Sequence, residues 1–142
     1  MQRDGLITNQ DLAAEVNLSP FLFLRRVKLL EQGHVIKGYC ADIDAKIYGF
    51  PVTVFVRVSL DSHTQATVKQ FEQDITRVDQ VMECFVVTGV SDYLLRVVVA
   101  DLSDYENFVC RKLHPIGGIA SIDSSFVYGV VKKTNIFPIT DW

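Results

Sequence analysis

The sequence predicts an α+β chain in two parts: a pair of short helices, the second of them cationic, and then a β-α-β-β-α-β domain. Three observations carry this. Apolar residues recur at helical spacing in the first forty positions. From Tyr48 onward the period falls to two, and Val52, Val54, Val56, Val58 and Leu60 alternate with Thr53, Phe55, Arg57 and Ser59. Turn-forming residues then punctuate two further helical and three further strand-like runs. The boundary is placed after residue 44, giving segments 1–44 and 45–142.

In the first segment, Thr8 with Asp11 three residues on is an N-cap signal close to a capping box. Leu12, Ala13 and Val16 then share a helix face. Asn17-Leu18-Ser19-Pro20 stops that helix and starts another: Ser19 is a good N-cap, and Pro20 suits the first helical position, where its missing N–H costs nothing. Leu24, Val27 and Leu30 follow at helical spacing, Arg25, Arg26 and Lys28 project to other faces, and Gly33 marks the end. Two helices joined by a short turn, the second basic, is the helix-turn-helix pattern. Val35 to Asp44 reads as a strand and connector.

In the second segment the strand over 52–60 leads to a helix capped by Ser62 and running to about Arg77, with Val68, Phe71 and Ile75 on one face. Val81 to Thr88 and Tyr93 to Ala100 are strands joined at Gly89-Val90-Ser91-Asp92 into a hairpin. Asp101 or Ser103 caps a helix with Tyr105, Phe108, Val109 and Leu113 inward, and His114-Pro115-Ile116-Gly117-Gly118 breaks it. Ile119 to about Lys132 is the fourth strand, and the tail from Lys133 is irregular. This order is the ferredoxin-like, or split βαβ, arrangement, with both helices on one face of an antiparallel sheet. The other face is expected to hold Thr53, Phe55, Arg57, Leu94, Arg96, Val98, Phe126, Tyr128 and Val130. Such a face is too apolar to leave in water, so a homodimer interface is expected there.

Composition bounds the function. No apolar run approaches the roughly 18 residues of a bilayer span, and no apolar signal segment follows Met1, so a cytoplasmic protein without membrane contact is expected. Cys40, Cys84 and Cys110 are odd in number and far apart. They read as reduced thiols in or near a core, and no metal or other cofactor is expected. The net charge is −3. Residues 1–40 hold five bases against four acids, and residues 41–142 nine against thirteen, with the positive charge concentrated at Arg25-Arg26-x-Lys28. His34, His63 and His114 lack evident carboxylate partners, and no phosphate loop, zinc spacing or nucleophile elbow is present. An enzyme is therefore not expected.

Asp4-Gly5-Leu6-Ile7-Thr8-Asn9, Leu12-Ala13-x-x-Val16-x-Leu18-Ser19-Pro20, Leu24-Arg25-Arg26-Val27-Lys28-x-Leu30-Glu31 and Val35-Ile36-Lys37-Gly38-Tyr39 resemble the winged helix-turn-helix of the leucine-responsive regulator/AsnC family, the feast/famine regulators. Thr88-Gly89-Val90-Ser91-Asp92-Tyr93-Leu94-Leu95 resembles the G-x-x-D-Y turn of that family's sensing domain, and Pro115-x-Gly117-Gly118-Ile119 also fits. The resemblance covers nearly the whole chain. The family opens with a further helix that this sequence does not display, so the winged helix-turn-helix reads as truncated.

The resemblance implies a DNA-binding transcriptional regulator that responds to an amino acid or a related small metabolite and works as a homodimer assembling into a tetramer or octamer. Ser19, Arg25, Arg26 and Lys28 are the expected DNA contacts, long cations and a helix N-terminus being suited to phosphate. The expected effector site is the turn of Thr88, Gly89, Val90, Asp92 and Tyr93, joined by Ser124, in a pocket between subunits. Gly89 lets backbone N–H groups approach a carboxylate, and Asp92 is suited to an ammonium. An ordinary hairpin turn is the competing reading of the same residues. The family usually places small or polar residues where Phe21-Leu22-Phe23 stands. That departure supports an alternative, a sensing and oligomerisation module that has lost DNA binding. A small enzyme on the same scaffold is the remaining alternative.

Overall fold

The computed structural model describes residues 7–138. It packs into two compact units, one of the described residues up to Asp42 together with those from Val131 onward, the other of Ile43–Val130. The tail after Val131 thus belongs with the helix pair rather than with the second segment, and Lys133 pairs with Asp42 at 3.0 Å.

In the first unit α1 spans Asn9–Glu15 and α2 spans Pro20–Gln32. Thr8 caps α1 by accepting the Asp11 N–H at 3.2 Å. Both helices end in the same way. Asn17 and His34 take left-handed φ values of 53° and 54°. The next residues, Leu18 and Val35, reach back to the Ala13 and Leu30 carbonyls, each at 2.9 Å. These are Schellman closures. Gly33 marks the helix end as expected, being the C-cap with φ −77°, and the left-handed position is His34.

The small core is Leu12, Ala13, Phe23 and Val27, with Ile7, Leu18 and Ile36 packed on it. Val16, Leu24 and Leu30, expected inside, are exposed. Phe23 and Val27 lie four residues apart and share the buried face, and Leu24 sits at its margin, on the groove it lines with Ile7 and Val27. Val16 sits past the last turn of α1 as its C-cap. Val35 to Asp44 forms no strand, also against expectation. The Val35 and Ile36 N–H groups that would start one are both spent on the Leu30 carbonyl.

In the second unit β1 is Val52–Leu60, α3 Gln65–Ile75, β2 Val81–Val86, β3 Tyr93–Val99, α4 Leu102–Phe108 and β4 Ile119–Phe126. The sheet order is β2-β3-β1-β4 with every neighbouring pair antiparallel, the ferredoxin-like topology. Thr64, not Ser62, caps α3, accepting the Thr67 N–H at 3.3 Å; Ser62 instead accepts the Thr64 N–H at 3.4 Å. The helix stops at Ile75, short of Arg77. Asp101 caps α4, accepting the Asp104 N–H at 2.8 Å. A π-helical turn, Val109–Leu113, continues α4. Its extra residue per turn brings Leu113, five residues past Phe108, back to the inward face.

Val54, Val56, Val58, Leu95, Val97, Val99, Phe71 and Leu113 are completely buried in one core, with Ile75, Tyr105 and Phe108 beside them. Register fixes the other face. Directly opposed residues share a side. Phe55, Leu94, Phe85 and Val98 therefore lie on the side away from the helices, flanked by Arg57 with Asp123 at 3.2 Å and by Arg96 with Glu83. Phe126 does not lie there. It opposes Val54, so it faces the helices and meets the Tyr105 ring edge-on at 5.0 Å. Tyr128 and Val130 lie beyond the strand, which ends at Phe126 and not near Lys132. Cys40, Cys84 and Cys110 are exposed free thiols rather than core groups.

Candidate DNA-contact helix and effector turn

Helix α2 displays its cations outward. Ser19 accepts the Leu22 N–H at 3.4 Å, leaving its own O–H free to donate at the helix N-terminus. Arg25, Arg26 and Lys28 are all exposed, and none forms an ion pair among the described residues. The first turn of α2 carries no acid. Phe21-Leu22-Phe23 splits, since Phe23 enters the core while Phe21 and Leu22 stay outside. The third residue is therefore structural, and only the first two are open to a partner. Lys28 also borders a groove of about 360 Å³ with Glu31 and Tyr39, whose phenol donates to Glu31 at 2.9 Å.

The hairpin turn between β2 and β3 closes with Val87 N–H on the Asp92 carbonyl at 2.9 Å. Gly89 sits at φ 118°, a conformation open essentially to glycine, and Thr88 and Val90 are exposed at the tip. The Asp92 side chain turns back. One carboxylate oxygen accepts the Leu60 N–H at 2.7 Å and the other meets His63 Nε2 at 2.8 Å. The Leu60 N–H first, and His63 second, hold its carboxyl below the usual carboxylate range. Asp92 thus ties the end of β1 to the turn, a partner set that sequence reasoning missed.

Tyr93 and Ser124 part from the turn. The Tyr93 ring lies on Phe71 with centroids 4.5 Å apart, and its phenol donates to Glu72 at 3.0 Å. Burial, then that bond, pushes its pKa up to about 12. Its side chain is a core group, and only its backbone belongs to the turn. Ser124 lies on β4, at the far edge of the sheet on the helix side, with its hydroxyl on that of Tyr105. One copy of the chain therefore gathers Thr88, Gly89, Val90 and Asp92 but not Ser124. Ser124 instead lines an open groove of about 350 Å³ with Tyr105, Cys110 and His114 beside the π-helical turn. Among the described residues no cluster of three or more His, Cys, Asp or Glu side chains could hold a metal, and no helix is long and apolar enough to cross a membrane.

Residues 53–137 match the Lrp/AsnC ligand binding domain, and residues 1–37 match a winged helix-turn-helix DNA-binding domain. The chain is similar to the Bkd operon transcriptional regulator of Pseudomonas aeruginosa, with 45% identity over 136 residues covering 96% of this chain and 89% of that one. It is 35% identical over 135 residues to the leucine-responsive regulatory protein of Haemophilus influenzae, covering 95% and 81%. In structure it resembles a transcriptional regulator of Neisseria meningitidis solved in complex with L-Met, with a TM-score of 0.91, 31% identity and 96% and 88% coverage. An outward cationic second helix, a ferredoxin-like sheet and these likenesses in both segments agree, and the chain belongs to the Lrp/AsnC family of transcriptional regulators.

Proposed function

We propose that this protein binds DNA through α2 and changes that binding when an amino acid or similar metabolite occupies the Gly89 turn. The observation that carries the reading is the outward stripe of Arg25, Arg26 and Lys28 behind a serine-capped helix start. Cations so placed neutralise phosphates and set the protein's register on the duplex. One helix pair binds weakly, so function needs a symmetric pair of them reading two half-sites. The sheet face of Phe55, Phe85 and Leu94 is the surface for that pairing, with tetramers or octamers built from such dimers. The effector's carboxylate meets backbone N–H groups at Gly89, its ammonium lies near Asp92, and a second subunit completes the pocket. The relatives named leucine-responsive and solved with L-Met support an amino acid as the effector class. The protein performs no catalysis and acts in the cytoplasm.

The test is a DNA-binding titration over a range of salt for wild type, Arg25→Ala and Lys28→Ala. Each lost phosphate contact flattens the log–log salt slope by about 0.9. Slopes unchanged by both substitutions would remove α2 from the interface. No affinity for any promoter fragment would favour a sensing module without DNA binding.

A further inference from the structure

We infer that Phe21 reads thymine, packing its ring on the C5-methyl group in the major groove. The inference deepens the DNA-binding reading and rests on it. Phe21 is 76% exposed at the second position of α2, whereas Phe23, two residues on, is 8% exposed in the core. With about 3.6 residues per turn, Phe21, Arg25 and Gln32 fall on the side of α2 opposite Phe23 and Val27. The outward stripe is thus an aromatic ring at the helix start with a guanidinium one turn behind it. The recognition helix of a helix-turn-helix meets base edges with its N-terminal residues.

Charge selects the occupant. Arg25 follows the ring one turn on, Lys28 stands on the same side a further turn on and Arg26 on the flank; the first turn holds no acid, and the helix N-terminus adds partial positive charge. A polyanion fits that surface, and an apolar protein face does not. Within the major groove the edges of adenine, guanine and cytosine offer donors and acceptors that a phenyl ring cannot satisfy. The thymine methyl is the one apolar feature there. Leu22, 47% exposed, sits on the flank of the stripe above Arg26 and Leu29 and is not assigned a base.

The test removes one methyl group at a time. Random-core duplexes enriched by binding to the wild-type protein are remade with deoxyuridine for thymidine, and affinity is read by fluorescence anisotropy for wild type, Phe21→Ala and Phe21→Leu. Wild type is expected to lose about fourfold per half-site on the uracil duplex, the worth of one buried methyl. Phe21→Ala is expected to bind both duplexes alike, with its salt slope unchanged, and Phe21→Leu to keep part of the preference. Because Phe21 is outside the core, circular dichroism should match wild type for both variants. Equal wild-type affinity for the two duplexes overturns the inference while leaving DNA binding intact. So does an undiminished preference in Phe21→Ala. Loss of self-association in Phe21→Ala, with the preference retained, assigns the ring to a second copy of the chain and overturns it as well. Failure of the wild-type protein to enrich any duplex overturns both the inference and the DNA-binding reading.

Discussion

The two units solve the burial problem with very different means. Among the described residues the sheet unit closes fifteen buried residues into one core, the helix pair four. At about 1.5–3 kcal/mol per large buried apolar side chain, the helix pair has little to set against the entropy of ordering its chain. It also leaves Val16, Leu22, Leu24, Leu29 and Leu30 in contact with solvent. The sheet unit is therefore the stable platform, and the DNA-contact unit opens locally at lower free energy.

Two phenylalanines break this comparison most forcefully. Phe71, fully buried between α3 and the sheet, should cost about 3–5 kcal/mol on truncation to alanine, read as a shift of the main urea transition. Phe23→Ala removes a quarter of the small core. It should abolish hydrogen-exchange protection over residues 9–32 and DNA binding, while β1 and β3 amides keep theirs. If Phe23→Ala lowers protection equally in both units, they unfold together and the contrast is wrong.

The same contrast explains what was legible in the sequence. Helix starts at Thr8, Ser19 and Asp101 were readable because a cap is a matter of three or four neighbouring residues. The inward faces of β1 and β3 were readable because both strands alternate cleanly under a covering core. Strand β4, Ile-Ala-Ser-Ile-Asp-Ser-Ser-Phe, alternates poorly and shifts register between Ser59 and Leu60 of its neighbour. Its pattern does not say which side Phe126 takes, and only the pairing of Phe126 with Val54 puts it on the helix side. In the helix pair a small core gave the sequence pattern little to impose, and Leu24 was chosen where Phe23 packs. At the proposed effector turn, the tight hairpin and the positive φ of Gly89 are legible from the local motif. The Asp92–His63 contact is not, because its partners are 29 residues apart and meet only through the fold.

Left-handed positions sharpen the comparison at smaller cost. The sheet unit uses Gly118 at φ 84°, where an added Cβ would stand 2.5 Å from Thr67 Cγ2. Gly118→Ala combines strain with a clash and should destabilise by about 1–3 kcal/mol in thermal unfolding. The helix pair instead holds His34 at φ 54° without glycine's freedom. His34→Gly should stabilise α2 by up to about 1 kcal/mol, seen as slower exchange of its last-turn amides. A destabilising His34→Gly would mean that the imidazole makes a contact worth more than the backbone strain.

The smallest expected effect concerns acid, and it belongs to the sheet unit. Asp92 has its carboxyl held below the usual range in the folded chain, by the Leu60 N–H first and by His63 second. A depressed folded-state pKa means that the ionised form stabilises the fold. That contribution is complete above the unfolded carboxylate value, about 3.9, and fades as pH falls through the lower folded value. Asp92→Asn keeps an acceptor for the Leu60 N–H but removes the charge that binds it and His63 most strongly. The gap in thermal midpoint between wild type and Asp92→Asn should close as pH falls below about 4. The Leu60 amide resonance should report the same titration. If the gap stays fixed down to pH 2.5, the carboxylate is not what secures the end of β1 to the turn, and Asp92 is left available to an ammonium group alone.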